Sequence, residues 1–133
     1  YNGDGKADLM VFRPSTGAWY MFDQATNTGS LPFNWGLSSD MPVPADYDND
    51  NKDDIAIFRP STGDWWIHRS TGSDIVLHWG SNGDVPVPGD YDGDGKDDLA
   101  VYRNGIWYIN NAGSSPVAWG VSTDVPIAKK YIP

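Results

Sequence analysis

The amino-acid sequence predicts an all-β protein built from consecutive copies of one repeat. The segment DYDNDNKDDIAIFRPSTG, which begins at Asp46, recurs as DYDGDGKDDLAVYRNG from Asp90, and residues 1–17 carry a third copy that starts one residue late. A second landmark, Trp-Gly followed by an Asp-x-Pro segment, comes after each copy. The 15 Gly and 10 Pro suit many turns better than helices. A period of about 44 residues with such turns indicates short strands in a repeat architecture.

Each repeat predicts four short strands, and the middle copy illustrates them. Its strands are expected at residues 41–45, 55–59, 65–69 and 75–79, separated by the acidic segment and by Thr-Gly turns. The second strand is apolar on successive residues in every copy, so both of its faces must be covered. Four-stranded sheets that stack face to face at this period are β-propeller blades. We therefore predict three four-stranded blades of about 44 residues, at about 1–45, 46–89 and 90–133.

The two ends of the chain predict how the blades are completed. Propellers close with about 4 to 8 blades, so three blades leave two apolar sheet faces uncovered. Residues 1–45 supply only strands two to four of a blade, whereas 125–131 predict a first strand. We expect part of a larger ring, or one completed by oligomerisation, in which the strand at 125–131 closes the first blade. The partner is either the remaining blades of a longer parent chain or a second copy of this chain.

The charge composition excludes several function classes. All 18 acidic residues are Asp, and they concentrate in the repeated segments. The nine Lys and Arg are scattered and the net charge is −9, which argues against a nucleic-acid partner. The chain has no Cys, so disulfides and thiolate metal sites are excluded. No apolar stretch approaches the roughly 18 residues of a membrane span, so membrane insertion is not expected.

The acidic segments predict calcium sites. In the loops that begin at Asp46 and Asp90, side-chain or backbone oxygens recur at alternate positions. Five or six oxygens from such a loop, completed by water, suit Ca²⁺ better than Mg²⁺, which demands a stricter octahedron. Gly93 and Gly95, with Asn49 and Asn51 in the middle copy, provide the positive φ that a tight loop requires. The predicted ligands are Asp46, Asp48, Asp50, the Lys52 carbonyl and Asp54, and Asp90, Asp92, Asp94, the Lys96 carbonyl and Asp98.

Other calcium motifs do not fit these loops. An EF-hand needs an acidic residue at loop position 12, but the chain has Ile57 or Val101 at that position. The glycine-rich nonapeptide of calcium-binding β-rolls is absent. A solvated acidic turn is the simpler interpretation of one such loop, but two complete copies at matching register favour metal binding.

The chain resembles FG-GAP or VCBS-type repeats, the calcium-loop blades also found in the propellers of integrin α-subunits. The DxDxDGxxD pattern of that family falls on Asp90, Asp92, Asp94, Gly95 and Asp98, and the middle copy matches except that Asn51 replaces the glycine. The resemblance implies that the loop joins strands one and two of a blade. It also implies a secreted or cell-surface location. The first copy retains a partial third site without its leading Asp, formed by Asn2, Asp4, the Lys6 carbonyl and Asp8.

No catalytic constellation can be assembled from the remaining residues, so we do not expect an enzyme. The chain contains no GxSxG, HExxH or P-loop motif. The leading hypothesis is an extracellular structural or protein-interaction scaffold that binds calcium. The alternative is a calcium-stabilised, lectin-like propeller that binds carbohydrate, since some propellers of this repeat type bind sugars between blades. The sequence does not distinguish a protein ligand from a glycan ligand.

Residues that recur in every copy are interpreted as scaffold rather than as ligand contacts. Two sets of tryptophans are expected in blade cores or between blades. Three arginines are expected either to pair with aspartates between blades or to stay solvated. His68 and His78 occur only in the middle copy, and surface strand positions explain them better than catalysis. The sets are Trp19, Trp65 and Trp107; Trp35, Trp79 and Trp119; Arg13, Arg59 and Arg103; and Asp40, Asp84 and Asp124.

Overall fold

The computed structural model describes residues 3–70, 72–111 and 113–127. In this part of the chain, the strands form three four-stranded antiparallel sheets, and no residue is helical. No helix capable of crossing a membrane is therefore present among the described residues. The repeated sequence thus gives a repeated sheet, as expected.

The first sheet contains strands β1 (Leu9–Arg13), β2 (Ala18–Asp23), β3 (Thr28–Gly29) and β4 (Phe33–Asn34). β1 pairs with one edge of β2. β3 and β4 both pair with the other edge, at opposite ends of β2. Pro32 lies between β3 and β4 and has no N–H to continue the ladder, so the fourth strand position is split in two. This sheet accordingly has strand positions two to four, as the sequence predicts.

The second sheet contains β5 (Met41–Pro42), β6 (Ile55–Arg59), β7 (Asp64–His68) and β8 (Ile75–His78), paired in chain order. The predicted second strand has the observed bounds, and the third begins and ends one residue earlier than expected. The first strand is shorter than the predicted 41–45 because Pro42 and Pro44 lack N–H donors. Pairing nevertheless continues beyond β5, through a Val43 N–H to Ala56 carbonyl bond of 2.9 Å and a bridge between Ala45 and Asp54.

The third sheet repeats the second, with β9 (Val85–Pro86), β10 (Leu99–Arg103), β11 (Ile106–Asn110) and β12 (Val117–Ala118). Residues 125–127, which begin the predicted closing strand, are not in a strand here, and the remainder of that prediction lies outside the described residues. The closing strand therefore stays a prediction.

The sheets stack face to face through the apolar second strands. Ile55 and Ile57 of β6 pack with Trp19 of the first sheet, and Leu99 and Val101 of β10 pack with the core of the second sheet. Ile57 is fully buried and Val101 is 1% exposed. The corresponding Val11 of β1 is 59% exposed. The unbroken apolar pattern of the second strand is thus explained by cover on both faces in the second and third sheets, but not in the first.

Candidate metal centres

Two acidic loops lead into the second strands of the second and third sheets. The loop 46–54 connects the first-strand segment to β6, and its ends are joined by the Asp54 N–H to Ala45 carbonyl bond of 2.7 Å. The loop 90–98 connects to β10 and is closed in the same way by an Asp98 N–H to Gly89 carbonyl bond of 2.7 Å. Each loop is therefore held at both ends by the sheet, which fixes the position of its side chains.

Each loop gathers three carboxylates. Ligand oxygens of Asp46, Asp48 and Asp50 all lie within 4.8 Å of one another, and those of the three matching aspartates in the loop 90–98 do so too. Three carboxylates at this separation repel one another unless a cation balances their charge. Oxygen-only ligands are those that hard divalent cations prefer. The two clusters could therefore each hold a metal ion; the second is Asp90, Asp92 and Asp94.

The backbone of both loops is shaped by residues with positive φ. Asn49 and Asn51 have φ of 63° and 67°, and Gly93 and Gly95 have φ of 79° and 91°. These are the positions at which the sequence predicted left-handed backbone, because Asn and Gly tolerate it best. Their conformation wraps the chain around the leading aspartate of each loop.

The leading aspartate organises the loop through its carboxylate. Asp46 Oδ1 accepts the N–H of Asn49 at 2.7 Å, and its Oδ2 accepts the N–H of Asn51 at 3.0 Å. Asp90 accepts the N–H groups of Gly93 and Gly95 at the same distances. Each carboxylate oxygen has two lone pairs, so these bonds leave capacity for a cation.

The last predicted ligand of each loop lies outside the three-carboxylate cluster. Asp54 is fully buried, and its oxygens accept the N–H of Tyr47 at 3.0 Å and the N–H of Ser70 at 2.7 Å. Asp98 accepts the N–H of Tyr91 at 3.0 Å. These aspartates tie the loop to the sheet, and metal ligation by them stays a prediction.

The lysines and the first copy follow the same local pattern. The backbone N–H of Lys52 donates to Asp50 at 2.9 Å, and that of Lys96 donates to Asp94 at 2.8 Å. These bonds constrain the backbone at the two residues whose carbonyls are predicted ligands. In the first copy, the Lys6 N–H donates to Asp4 at 2.9 Å. Asp8 is half-buried just before β1. Asn2 lies outside the described residues, so the partial third site stays a prediction.

Ser70 was not singled out by the sequence, but it contacts the middle loop. Its hydroxyl donates to Asp50, while its N–H donates to Asp54. The hydroxyl bond holds the pKa of the Asp50 carboxyl below its usual value, which favours the charged form that binds a cation. Ser70 lies just after the end of β7, far from the loop in sequence, and the fold brings the two together.

The two complete loops touch each other. The Asp97 N–H donates to the Asp46 carbonyl at 2.7 Å, and the Asp46 N–H donates back to the Asp97 carboxylate at 2.9 Å. Asp46 is consequently 6% exposed, whereas Asp90, the leading residue of the third sheet, is half-buried. The sequence pattern assigns no role to Asp97, because an Asp-Asp pair does not reveal which residue faces the neighbouring repeat.

Of the two possibilities that the sequence leaves for the arginines, the structure shows the ion pair at Arg59 and Arg103, whereas Trp119, expected in a blade core or between blades, is 78% exposed. Arg59 forms a bidentate pair with Asp40 at 2.9 Å, and Arg103 pairs with Asp84 at 2.6 Å. Trp19 and Trp65 are buried. The indole N–H of each donates to a backbone carbonyl of the next Trp landmark, Trp35 at 2.9 Å and Trp79 at 2.8 Å.

The two histidines pair with aspartates outside the loops. His68 Nδ1 lies 2.5 Å from Asp74, and His78 Nδ1 lies 3.1 Å from Asp64. The His68 ring also stacks on Phe33 of the first sheet, with the ring centroids 4.6 Å apart. Neither histidine belongs to the carboxylate clusters, which contain only aspartates.

The fold and the loops together define a class of repeat protein, in which an acidic loop leads into the second strand of a short antiparallel sheet. Comparison with protein families matches residues 1–57 and 46–101 to the FG-GAP-like repeat. The chain belongs to the FG-GAP-like repeat family. Comparisons with curated proteins and with solved structures find no match.

Proposed function

We propose that this chain is a calcium-binding β-propeller module that serves as an extracellular structural or protein-interaction scaffold. The observation that carries the proposal is the pair of three-carboxylate clusters, which have the same internal geometry and occupy the same position in successive sheets. A repeated site of this kind serves the architecture of the repeat, since a single ligand rarely needs identical contributors from successive repeats.

Calcium is the cation that suits the loops best. The donors are carboxylate and carbonyl oxygens on a loop of Asn, Gly and Asp, and Ca²⁺ accepts 6 to 8 such ligands in irregular geometry. Mg²⁺ retains several waters and demands about six ligands in a strict octahedron. The predicted carbonyls of Lys52 and Lys96 and the buried Asp54 and Asp98 supply further oxygens next to each cluster.

The propeller arrangement and the location rest on the repeat. Four-stranded antiparallel sheets that stack in chain order through their second strands are the units from which propellers are built. FG-GAP-like repeats typically occur in extracellular proteins, where millimolar calcium keeps sites of modest affinity filled. A secreted or cell-surface role accords with both features.

A binding role is favoured over catalysis, because the carboxylates outside the loops contact basic side chains. Asp40 and Asp84 are held in ion pairs with arginines, and Asp64 and Asp74 contact histidines. A hydrolytic pair would need two carboxylates facing a shared substrate cleft. The partners of these aspartates support structural roles instead.

Calcium titration by calorimetry tests the metal assignment. The wild-type chain is expected to bind calcium at the two complete loops. Asp94→Asn removes a charged ligand and should eliminate or strongly weaken one of the two binding events. Asp74→Asn is the matched control, because it makes the same change outside the loops, and it should leave both events in place.

Two results would contradict the assignment. One is the absence of binding heat and of any calcium-dependent change in melting temperature for the wild type. The other is an equal effect of Asp94→Asn and Asp74→Asn, which would indicate a response to overall charge rather than coordination.

Carbohydrate binding is the second candidate, and two recesses between neighbouring sheets favour it. One, of about 240 Å³, is lined by Trp35, Trp66 and Arg59, and the other, of about 120 Å³, is lined by Trp79 and Tyr108. Half-buried aromatic rings next to polar groups suit sugar rings. A glycan array with and without calcium separates the candidates, because two aromatic recesses on one chain should give multivalent, sugar-specific binding. The scaffold proposal expects no such binding.

A further inference from the structure

The stack of sheets ends in two exposed faces. The leading face belongs to the first sheet and carries Leu9, Val11, Arg13 and Tyr20. The trailing face belongs to the third sheet and carries Trp107, Trp119, Asp124 and residues 125–127, which lie over the buried Tyr102. Leu9 and Val11 are 57% and 59% exposed, although their equivalents Ile55 and Ile57 in the second sheet are 8% and 0% exposed. On the trailing face, Trp119, Val125 and Ile127 are each more than three-quarters exposed.

The two interfaces inside the molecule use one set of contacts twice. Across the first, the Trp35 indole N–H donates to the Trp66 carbonyl at 3.0 Å, and Arg59 pairs with Asp40 at 2.9 Å. Across the second, the Trp79 indole N–H donates to the Tyr108 carbonyl at 3.0 Å. The Arg103 and Asp84 pair, at 2.6 Å, completes that interface. In both cases a tryptophan of the preceding sheet meets a carbonyl of the following sheet, and the aspartate just before the first strand of the following sheet meets the arginine at the end of its second strand.

The trailing face carries the tryptophan and the aspartate of this set, held by the same hydrogen bonds as their counterparts. Trp119 is fixed by the Trp107 indole N–H, which donates to its carbonyl at 3.0 Å as in the other two sheets. Asp124 Oδ2 accepts the Val121 N–H at 2.9 Å, in the same turn that orients Asp40 and Asp84. Among the described residues, Asp124 forms no ion pair.

The leading face carries the arginine and the carbonyl of this set. The Arg13 guanidinium lies 4.6 Å from the centre of the Tyr20 ring, as Arg59 and Arg103 lie 4.9 Å from the rings of Trp66 and Tyr108. Arg13 donates to the Tyr20 hydroxyl at 2.9 Å. Within the described part of the chain no carboxylate pairs with it. Arg13 is therefore preoriented like the two arginines that do have aspartate partners.

The strand edges are complementary as well. Among the described strands, β1 pairs only with β2, whereas its counterparts β6 and β10 also pair with a first strand. Residues 125–127 follow Asp124 as β5 follows Asp40 and β9 follows Asp84. Met41 and Pro42 lie opposite Phe58 and Ile57. By the same register, Val125 and Pro126 match Phe12 and Val11 of β1.

We propose that the leading and trailing faces bind each other between two copies of this chain. Arg13 of one copy pairs with Asp124 of the other, and the Trp119 indole N–H donates to the Tyr20 carbonyl. Residues 125–127 add a first strand to β1, in the manner of β-strand addition. The contact is head-to-tail, so two copies close into a ring of six sheets through two equal interfaces. Six sheets fall within the roughly 4 to 8 of known propellers.

This inference rests on the stacked sheets and not on the calcium assignment. The test is therefore run in excess calcium, so that its failure and the failure of calcium binding are distinguishable. Light scattering should give the wild-type chain twice the 14.6 kDa mass of one copy. Arg13→Asp and Asp124→Arg should each be monomeric, because each places like charges in both interfaces. Asp74→Arg, the matched control with the charge change of Asp124→Arg, should remain dimeric.

Mixing the two variants provides the decisive measurement. In an equal mixture of Arg13→Asp and Asp124→Arg, both interfaces again join opposite charges, so the dimer should return as a heterodimer. Recovery on mixing also shows that each variant is folded. Trp119→Ala is a second variant that changes only an exposed side chain, and it should weaken the dimer by roughly 10-fold or more through the lost indole contact.

Three results would overturn the proposal. A wild-type chain that stays monomeric at high concentration has no such interface. A dimer that survives Arg13→Asp, Asp124→Arg and Trp119→Ala alike uses another surface. Growth beyond the dimer with rising concentration would exclude the closed ring.

Discussion

At the scale of single residues, Tyr47 shows how the acidic loop is joined to the core. Its hydroxyl donates to the Val43 carbonyl at 2.7 Å, and its ring packs in the main hydrophobic cluster. Burial raises the pKa of Tyr47 well above its usual value, and the charges of Asp97, Asp54 and Asp53 raise it further. Tyr91 has the same role in the next loop, and burial raises its pKa to about 12. The loops and the core therefore depend on neutral tyrosines.

The raised pKa of Tyr47 predicts a loss of stability in alkali. A folded pKa above the unfolded value of about 10 means that the stabilisation is complete below pH 10 and is lost as the pH rises towards the folded pKa. The loss is about 1.4 kcal/mol per pH unit for one such group. Tyr47→Phe should cost about 1 kcal/mol near pH 7, through the lost hydrogen bond, and should reduce the alkaline slope.

Urea unfolding between pH 7 and 11.5 measures both effects. An identical alkaline slope for Tyr47→Phe and the wild type would refute this role.

At the scale of elements, each sheet depends on one close approach between two glycines. Gly63, in the turn between β6 and β7, has φ of 74°, and a Cβ at this position would lie 2.3 Å from the Gly80 carbonyl oxygen. The same approach occurs between Gly17 and Gly36, and between Gly105 and Gly120. The Trp-Gly landmark of the sequence thus meets the turn that follows the second strand, and this contact positions the end of the fourth strand.

Gly63→Ala should therefore be more damaging than an alanine at an open glycine. Gly113 has φ of 80° but nothing within 4 Å of an added Cβ, so Gly113→Ala should cost only the left-handed backbone strain, about 1 kcal/mol. Gly63→Ala adds a clash with backbone that cannot turn away, and a loss of about 3 kcal/mol or more is expected. Denaturant midpoints of the two variants give the comparison. Equal losses would show that the approach of Gly80 is unimportant.

At the scale of the whole molecule, the acidic loops and the apolar strands form one stack. The loop 90–98 contacts Asp46 while Leu99 and Val101, just after it, pack on the second sheet. A cation in either loop would therefore hold neighbouring sheets together as well as its own loop. The charge of −9 acts in the opposite direction, because carboxylates gathered in the loops repel when no cation is bound.

Removal of calcium should lower the melting temperature of the whole chain. With calcium tenfold above a sub-millimolar dissociation constant, each complete site contributes roughly 1.5 kcal/mol. Two such sites correspond to a decrease of roughly 10 °C on chelation for a chain of this size. Scans in excess calcium, in EDTA and in EDTA with excess magnesium test this, with magnesium expected to restore little. Coincident calcium and EDTA scans would contradict a structural role for the ion.

The repeat, the strands and the acidic loops can all be predicted from the amino-acid sequence. These features are local: strand pattern, turn residues and alternate aspartates act over a few residues, so Ile55–Arg59 was predicted with its observed bounds. The positive φ of Asn49 and Gly95 is also predictable, because Asn and Gly tolerate left-handed backbone best. The arginine and aspartate pairs were foreseen only as one of two possibilities, because pairing between repeats depends on how the sheets stack.

Residues that are equivalent in the repeat can have different surroundings, and only the stacking of the sheets shows which of them do. Val11 and Ile57 occupy the same place in the repeat, yet Val11 is exposed and Ile57 is buried, because Ile57 packs on the preceding sheet and none of the described sheets precedes Val11. Ser70 and Asp97 reach the middle loop from other parts of the fold. Burial and contacts between repeats depend on the stacking of whole sheets, and a local sequence pattern carries no information about where that stack ends.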